Sequence, residues 1–268
     1  MALGTAHTAE APEDSGAAPL KRDLVAGLEK GLAVIEAFDQ ERPRLTISEV
    51  AAVTGLTRAA ARRYLLTLSH LGFVTQDRKM FALTPKVLRL SQSYIHSARL
   101  PRIVEPELQK LAFQIKEASA AGVLDQQDVI CIAATSGGRA VSPTPQAGTR
   151  VPAHATGVGR VLLSALSEAS LDAWIGAHSL PSYTPNTITQ PERLRAEINR
   201  ARQQGYIVVD QELEIGLRTL AVPLKNYRGD IVAAANITTH ASRMSCEQLV
   251  EHCLPHLLQA QSHLRMLL

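Results

Sequence analysis

Three guanidinium groups stand close together in LTRAAARRYLLTLSHLGFV, residues 56–74: Arg58, Arg62 and Arg63. A guanidinium keeps its charge and presents a fork of N–H donors, which suits a phosphate or a guanine edge. On a helix starting at Arg58, at 100° per residue, Ala59, Arg62, Arg63 and His70 share one side, with Arg58 at its border. Ala61, Tyr64, Leu65, Leu68 and Leu71 fall on the other and form an apolar face. Thr57 is a good N-cap, and Gly72 is a good stop. The small alanines permit close approach, and an alanine methyl can touch a thymine methyl. Alone, such a helix is most often a solvated charged face; its neighbours change that reading.

Upstream, LTISEVAAVTG (45–55) has Thr46 and Glu49 at capping-box spacing and a Gly55 turn leading into Leu56. A capped short helix, a tight Gly turn and a second helix with a basic start form a helix-turn-helix pattern. Downstream, FVTQDRKMFALT (73–84) reads as two strands around Gln76-Asp77-Arg78-Lys79. As a wing, its Arg78 and Lys79 would reach phosphate or the minor groove; otherwise it is an ordinary surface hairpin. VAGLEKGLAVIEAF (25–38) supplies a first, structural helix with Val25, Leu28, Leu32, Ile35 and Phe38 on one stripe.

Charge follows this division. Residues 21–90 carry 12 Lys and Arg against 7 Asp and Glu, and residues 91–268 carry 16 against 15. The basic excess therefore sits with the helix-turn-helix, as binding to phosphate requires. Residues 1–20 read as a disordered tail without the features of a targeting peptide. No apolar run is long enough to span a membrane. Cys131, Cys246 and Cys253 lack metal spacing and read as reduced thiols in a cytoplasmic protein; there is no HExxH, and no metal or cofactor is expected.

PKVLRLSQSYIHSARL (85–100) reads as a helix that Pro101 stops. Beyond it helices alternate with strands, among them GVLDQQDVICIAAT (122–135), a further strand after Ser136-Gly137-Gly138, YIVVD, and RTLAVPLKNYRGDIVAAANIT. The last helix spans 245–268 with an interruption or kink near Pro255. This order gives an α+β sheet covered by helices. Candidate chemistry here is weak. His154, Ser164 and Asp210 are the types of a hydrolase triad, but no GxSxG elbow accompanies them. Gly157-Val158-Gly159 lacks the context of a phosphate loop; the Gly157 and Val158 amides at a helix start suit a bound anion better. Asn236 and Thr238 share one face of a strand, which lines a pocket or is the polar outside of the sheet. Asp210, Glu212 and Glu214 form an acidic cluster, either an exposed turn or a pair with Arg218.

LEKGLAVIEAF, LTISEVAAVTGLTRAAARRYLLTLSHLGFV, RVPAHATGVGRVLLSAL and GYIVVDQELEIGLRTLAVPL together resemble the IclR family of bacterial transcription regulators, from about residue 24 onward. TRAAARRYLLTL and VDQELEIGLRTLAVPL look most like its branch controlling catabolism of protocatechuate, 4-hydroxybenzoate or β-ketoadipate. The resemblance implies a winged helix-turn-helix over 21–84, a linker helix over 85–100 and a GAF-like effector-binding domain over 101–268. It implies homodimers or dimers of dimers on palindromic promoter DNA, and a small carboxylic acid effector lying against the sheet. Carried over by position, Val151, Gly157, Val158, Leu217, Thr219, Asn236 and Thr238 line that effector site. The family's acidic position falls at Val209, with Asp210 beside it as the candidate. The residues at 219, 236 and 238 differ from those of a small-acid-binding member of the family, which fits a larger, aromatic ligand. A regulator is thus expected, with Thr57, Arg58, Ala59, Arg62, Arg63, Arg78 and Lys79 on DNA. The competing readings are a small-molecule enzyme with a DNA-binding appendage, and a structural DNA binder with no pocket.

Overall fold

Helix ends and turns shape the first part of the chain. The computed structural model describes residues 21–39, 41–138 and 146–268. The expected tail, and most of the segment expected to form a strand after Gly138, lie outside the described residues. The chain divides into two units, 1–90 and 91–268.

In the first unit, α1 (Ala26–Glu36), β1 (Leu45–Thr46), α2 (Ile47–Thr54), α3 (Arg58–His70), β2 (Val74–Asp77) and β3 (Met80–Leu83) follow in order. Thr46 and Glu49 close the capping box: the Thr46 amide donates to Glu49 Oε2 at 2.7 Å, and the Glu49 amide donates to Thr46 Oγ1. Gly55 takes φ +68°, which turns α2 into α3 at no steric cost. Thr57 Oγ1 accepts from the Ala60 amide and starts α3. Val34, Val50, Ala61, Leu65 and Phe81 are buried in one core.

The structure changes three local readings. β1 is an added strand pairing with β3 in the order β1-β3-β2; two residues long, and ending on an N-cap, it carries no strand periodicity. The α1 stripe is not buried as a whole, because Val25, Leu28 and Leu32 are exposed. Ile35 and Phe38 of the stripe do pack, and the helix packs besides through Gly27 and Gly31, which lie beside Tyr64, and through Val34 and Ala37. Leu71 is also exposed, since α3 ends at His70 and Gly72 turns the chain away with φ +78°.

α4 (Leu88–Ser97) spans the division between the units. The break comes at Ala98, not at Pro101. Pro101 lies in the first turn of α5 (Arg99–Ile115), where a missing N–H costs no hydrogen bond.

In the second unit, β4 (Ala118–Asp125), β5 (Asp128–Thr135), β6 (Arg150–Pro152), β7 (Ile207–Asp210), β8 (Leu217–Lys225) and β9 (Ile231–His240) form one antiparallel sheet, ordered β6-β5-β4-β9-β8-β7. α5 and α9 (Cys246–Arg265) cover one face through Val104, Leu108, Leu111, Leu249, Cys253 and Leu257. α6 (Gly157–Leu163), α7 (Glu168–Ala177) and α8 (Pro191–Gln204) pack on the other through Val161, Leu171 and Ile198. α9 runs through Pro255 without interruption. Its packing outweighs the single backbone bond a proline removes.

Cys131 and Cys253 are buried, and desolvation pushes each thiol up to about 11. Thiol titration of the native protein at pH 8 is expected to leave these two unmodified until denaturant is added. Fast labelling of either would show that its shell opens in the native state.

Candidate functional site

Two surfaces gather unsatisfied groups, one outside the first unit and one inside the second. On α3 the apolar positions 61, 65 and 68 turn inward, so Arg58, Ala59, Arg62 and Arg63 stand exposed in its first turns. Among the described residues no carboxylate pairs with Arg58, Arg62 or Arg63. Thr57 lies exposed at the same end. Its oxygen caps the helix while the hydroxyl proton stays available. Arg78 and Lys79 form the exposed tip between β2 and β3, with Arg78 at φ +54° and its carbonyl held by Gln76 Nε2 at 2.8 Å. The wing expected at 73–84 is therefore a real hairpin with two cations at its end.

The second surface is the sheet face beneath α6. Register sets Thr219 opposite Thr238, Val209 opposite Thr219, and Ala221 opposite Asn236. On the other side of β9, Ala118 meets Thr238 and Ala120 meets Asn236. Thr219, Asn236 and Thr238 thus form a polar patch framed by alanines and Val209. Asn236 and Thr238 are buried, so they are not the polar outside of the sheet. Asn236 Nδ2 donates to Thr238 Oγ1 at 3.2 Å. Among the described residues, the buried side-chain atoms without a partner are Thr219 Oγ1 and Asn236 Oδ1. A buried polar atom left unpaired costs about 1–3 kcal/mol. Two on one patch mark a place where a ligand or water belongs.

α6 closes over this patch. Thr156 caps it, accepting from the Gly159 amide. A Cβ on Gly159 would lie 2.2 Å from Ala153 O, and one on Gly157 would lie 3.1 Å from Thr219 Oγ1. The two glycines are there for close backbone approach, which explains the GVG spacing without a phosphate loop. Val158 is buried and faces Gly122 of β4, while Val151 packs with the same cluster and Leu217 starts β8 half-buried.

Asp210 is not part of this patch. It lies across from Arg218 and one residue from Val209, hence on the opposite face of β7. Arg218 Nε donates to its Oδ1 at 2.6 Å and holds its carboxyl below the usual range. The position facing the patch is Val209, which is apolar.

The hydrolase types also disperse. His154 Nε2 lies 3.0 Å from Pro181 O, and burial lowers its pKa; Ser164 Oγ donates to Val161 O. His252 and His256 stand four apart on α9, a spacing used by metal pairs that sequence reasoning did not single out. No group of three or more His, Cys, Asp or Glu that could hold a metal exists among the described residues.

One pair escaped the sequence reading. Arg160 on α6 is 1% exposed and forks onto Glu212, with Nη1 to Oε1 at 2.7 Å; its Nε donates to His154 O at 2.8 Å. Glu212 Oε2 also accepts from the Ile188 amide, and its carbonyl accepts from Thr184 and Thr187. A lone arginine inside the apolar run GVGRVLL was the available signal.

Family comparison matches both units: residues 27–78 fit the IclR helix-turn-helix domain, and residues 92–265 fit the C-terminal domain of bacterial transcriptional regulator IclR. The chain belongs to the IclR family of bacterial transcriptional regulators. It is 40% identical to the Pca regulon regulatory protein of Pseudomonas putida, over 90% of this chain and 84% of that protein. It is 39% identical to the p-hydroxybenzoate hydroxylase transcriptional activator of Acinetobacter baylyi, over 91% and 92%. A transcriptional regulator from Rhodococcus sp. RHA1 of known structure is 42% identical and superimposes with a TM-score of 0.78, covering 90% of this chain and 97% of that one. As an IclR-family protein the chain is a DNA-binding transcription regulator with a helix-turn-helix and a separate C-terminal domain.

Breaking one side of the Arg160–Glu212 pair leaves a buried, uncompensated charge. Glu212→Gln is expected to cost about 3–5 kcal/mol in urea unfolding, and Arg160→Met with Glu212→Leu to recover much of that loss. A double variant no more stable than the single one contradicts this account of the pair.

Proposed function

We propose that this regulator binds promoter DNA through Thr57, Arg58, Ala59, Arg62, Arg63, Arg78 and Lys79, and answers to a small aromatic acid held under α6. The observation that carries the effector half is the pair of unpartnered buried atoms, Thr219 Oγ1 and Asn236 Oδ1. In this reading the Gly157 and Val158 amides, at the start of α6, take the acid's carboxylate, with Val151 and Leu217 as apolar walls. Asp210 takes no part in this reading. The aromatic assignment rests on the relatives whose names refer to the Pca regulon and to p-hydroxybenzoate hydroxylase. Residues 21–84 serve as the DNA-binding domain, 85–100 as the linker and 101–268 as the effector domain. The protein works in the cytoplasm, is not an enzyme, and pairs into a homodimer or a dimer of dimers. The exposed Leu24, Val25, Leu28 and Leu32 on and before α1 support a partner copy. No helix among the described residues is long and apolar enough to cross a membrane.

Against an enzyme stands the dispersal of His154, Ser164 and Asp210 into separate hydrogen bonds.

Two experiments test the two halves. Arg62→Ala with Arg63→Ala is expected to weaken operator binding by ~1–3 kcal/mol per arginine that reads a base, and to flatten the salt dependence for each arginine that meets a phosphate. Arg195→Ala, an exposed α8 arginine paired with Asp172, serves as control and is expected to change neither. Unchanged operator affinity in the double variant would falsify the recognition-helix assignment. In a thermal-shift screen, an aromatic acid at a hundred times its Kd is expected to stabilise the protein by ~2.7 kcal/mol. A flat response to protocatechuate, 4-hydroxybenzoate and β-ketoadipate removes the effector assignment.

A further inference from the structure

On the side of the sheet away from α6, the groove between α5 and α9 carries histidines that belong to neither functional surface. It encloses about 440 Å³, and Gln114, Ile115, Met244, His252, Cys253 and His256 line it. His252 and His256 therefore face one space, as positions i and i+4 of a helix do. Four residues advance a helix by about 6 Å and carry it only about 40° past a full turn, so two imidazoles so placed can meet on one ion. We infer that His252 and His256 form a two-point site for a transition-metal cation of the copper, nickel and zinc class.

The free ring nitrogens support this. His252 Nδ1 lies 2.8 Å from Gln248 O. A carbonyl only accepts, so Nδ1 carries the proton, and in the neutral ring Nε2 keeps its lone pair. Metal-bound histidines are held in this way, with the other ring nitrogen donating to a carbonyl or carboxylate. His256 is exposed and makes no hydrogen bond or ion pair among the described residues.

The neighbours decide which ions suit. Glu107 lies in the adjoining cavity that shares Gln114 and His256, but Lys110 Nζ binds it at 2.6 Å and His263 Nδ1 stands 3.6 Å away. Glu117 is held by Arg243. Cys253 is buried, and desolvation pushes its thiol up to about 11, so it stays a thiol near neutral pH. Among the described residues no third side chain completes the set. Two imidazoles, with water in the remaining positions, favour Cu(II) and then Ni(II) or Zn(II). Without a carboxylate they give Mg(II) no hold. The pair also spans a weak place in its helix. Pro255 has no N–H, so the bond to the carbonyl of Glu251 is missing. A metal on His252 and His256 ties together the turns on either side of that gap.

The test is calorimetric titration of the metal-free full chain with copper, nickel, zinc and magnesium chlorides, repeated on His252→Gln, His256→Gln and His263→Gln. All three residues are exposed, so replacing them leaves the empty fold intact. The unaltered chain is expected to bind Cu(II) most tightly and Mg(II) not at all. Replacing either His252 or His256 is expected to weaken Cu(II) and Ni(II) by at least about tenfold, because the second contact of a chelate acts at high effective concentration. His263→Gln is expected to change neither. Nickel chloride is expected to raise the melting temperature of the unaltered chain and of His263→Gln, and not of the other two. Undiminished Cu(II) and Ni(II) affinity in the His252 and His256 variants overturns the inference. So does an equal loss in His263→Gln, Mg(II) binding as tight as Ni(II), or no binding of any of these ions. None of these outcomes bears on the effector reading.

Discussion

The second unit is organised around a buried ion pair. Arg160 sits one turn into α6, and everything it touches belongs to another segment: Glu212 after β7, and His154 in the loop before the helix. Glu212 in turn holds the Ile188 amide and the Thr184 and Thr187 hydroxyls. Three connecting segments, none of them a regular element, are therefore tied to one helix. Such a pair adds little net stability over a well-packed apolar replacement, because desolvation offsets most of its attraction. Its effect is geometric. Both charges and nearly all their hydrogen-bonding groups are satisfied in this arrangement, which ties α6 to the segments around it. The glycines at 157 and 159 then allow the close approach that the pair requires.

Within that frame the two functional surfaces follow one rule seen from opposite sides. A folded chain pairs its polar groups unless a partner is to come. On α3, in the proposed function, the partner is outside, and arginines without carboxylates wait in water at small cost. Under α6, in the proposed function, the partner is inside, and the unpaired Thr219 and Asn236 atoms carry a penalty in its absence. In that proposal the penalty is the reason a ligand there would be felt by the protein, since its binding would satisfy atoms that the fold leaves wanting.

Much of this is legible in the residues. The capping box, the Gly55 turn and the wing all depend on local chemistry, and local chemistry is written in order along the chain. The face of Asn236 and Thr238 follows from strand alternation, although burial decides between pocket and outer surface. What cannot be read is non-local. The α1 stripe misleads because packing is made by Gly27 and Gly31 against Tyr64, where the absence of side chains matters more than their hydrophobicity. β1 is too short to show a period. Pro101 and Pro255 look like breaks in the sequence, but one opens a helix and the other is carried by tertiary packing. The Asp210 assignment fails through a single residue of register, which reverses the face of a strand. Arg160 and Glu212 stand 52 positions apart, a distance over which no spacing rule connects them.

In the proposed function one chain links an acid under α6 to DNA on α3. Linkage is reciprocal: if the acid changes operator affinity by some factor, operator must change acid affinity by the same factor. The decisive measurement is therefore the operator Kd with and without saturating 4-hydroxybenzoate, set beside the Kd of 4-hydroxybenzoate with and without saturating operator. The account predicts two equal factors, of about 5- to 150-fold. An acid that binds and leaves operator affinity untouched, in both directions, would contradict it.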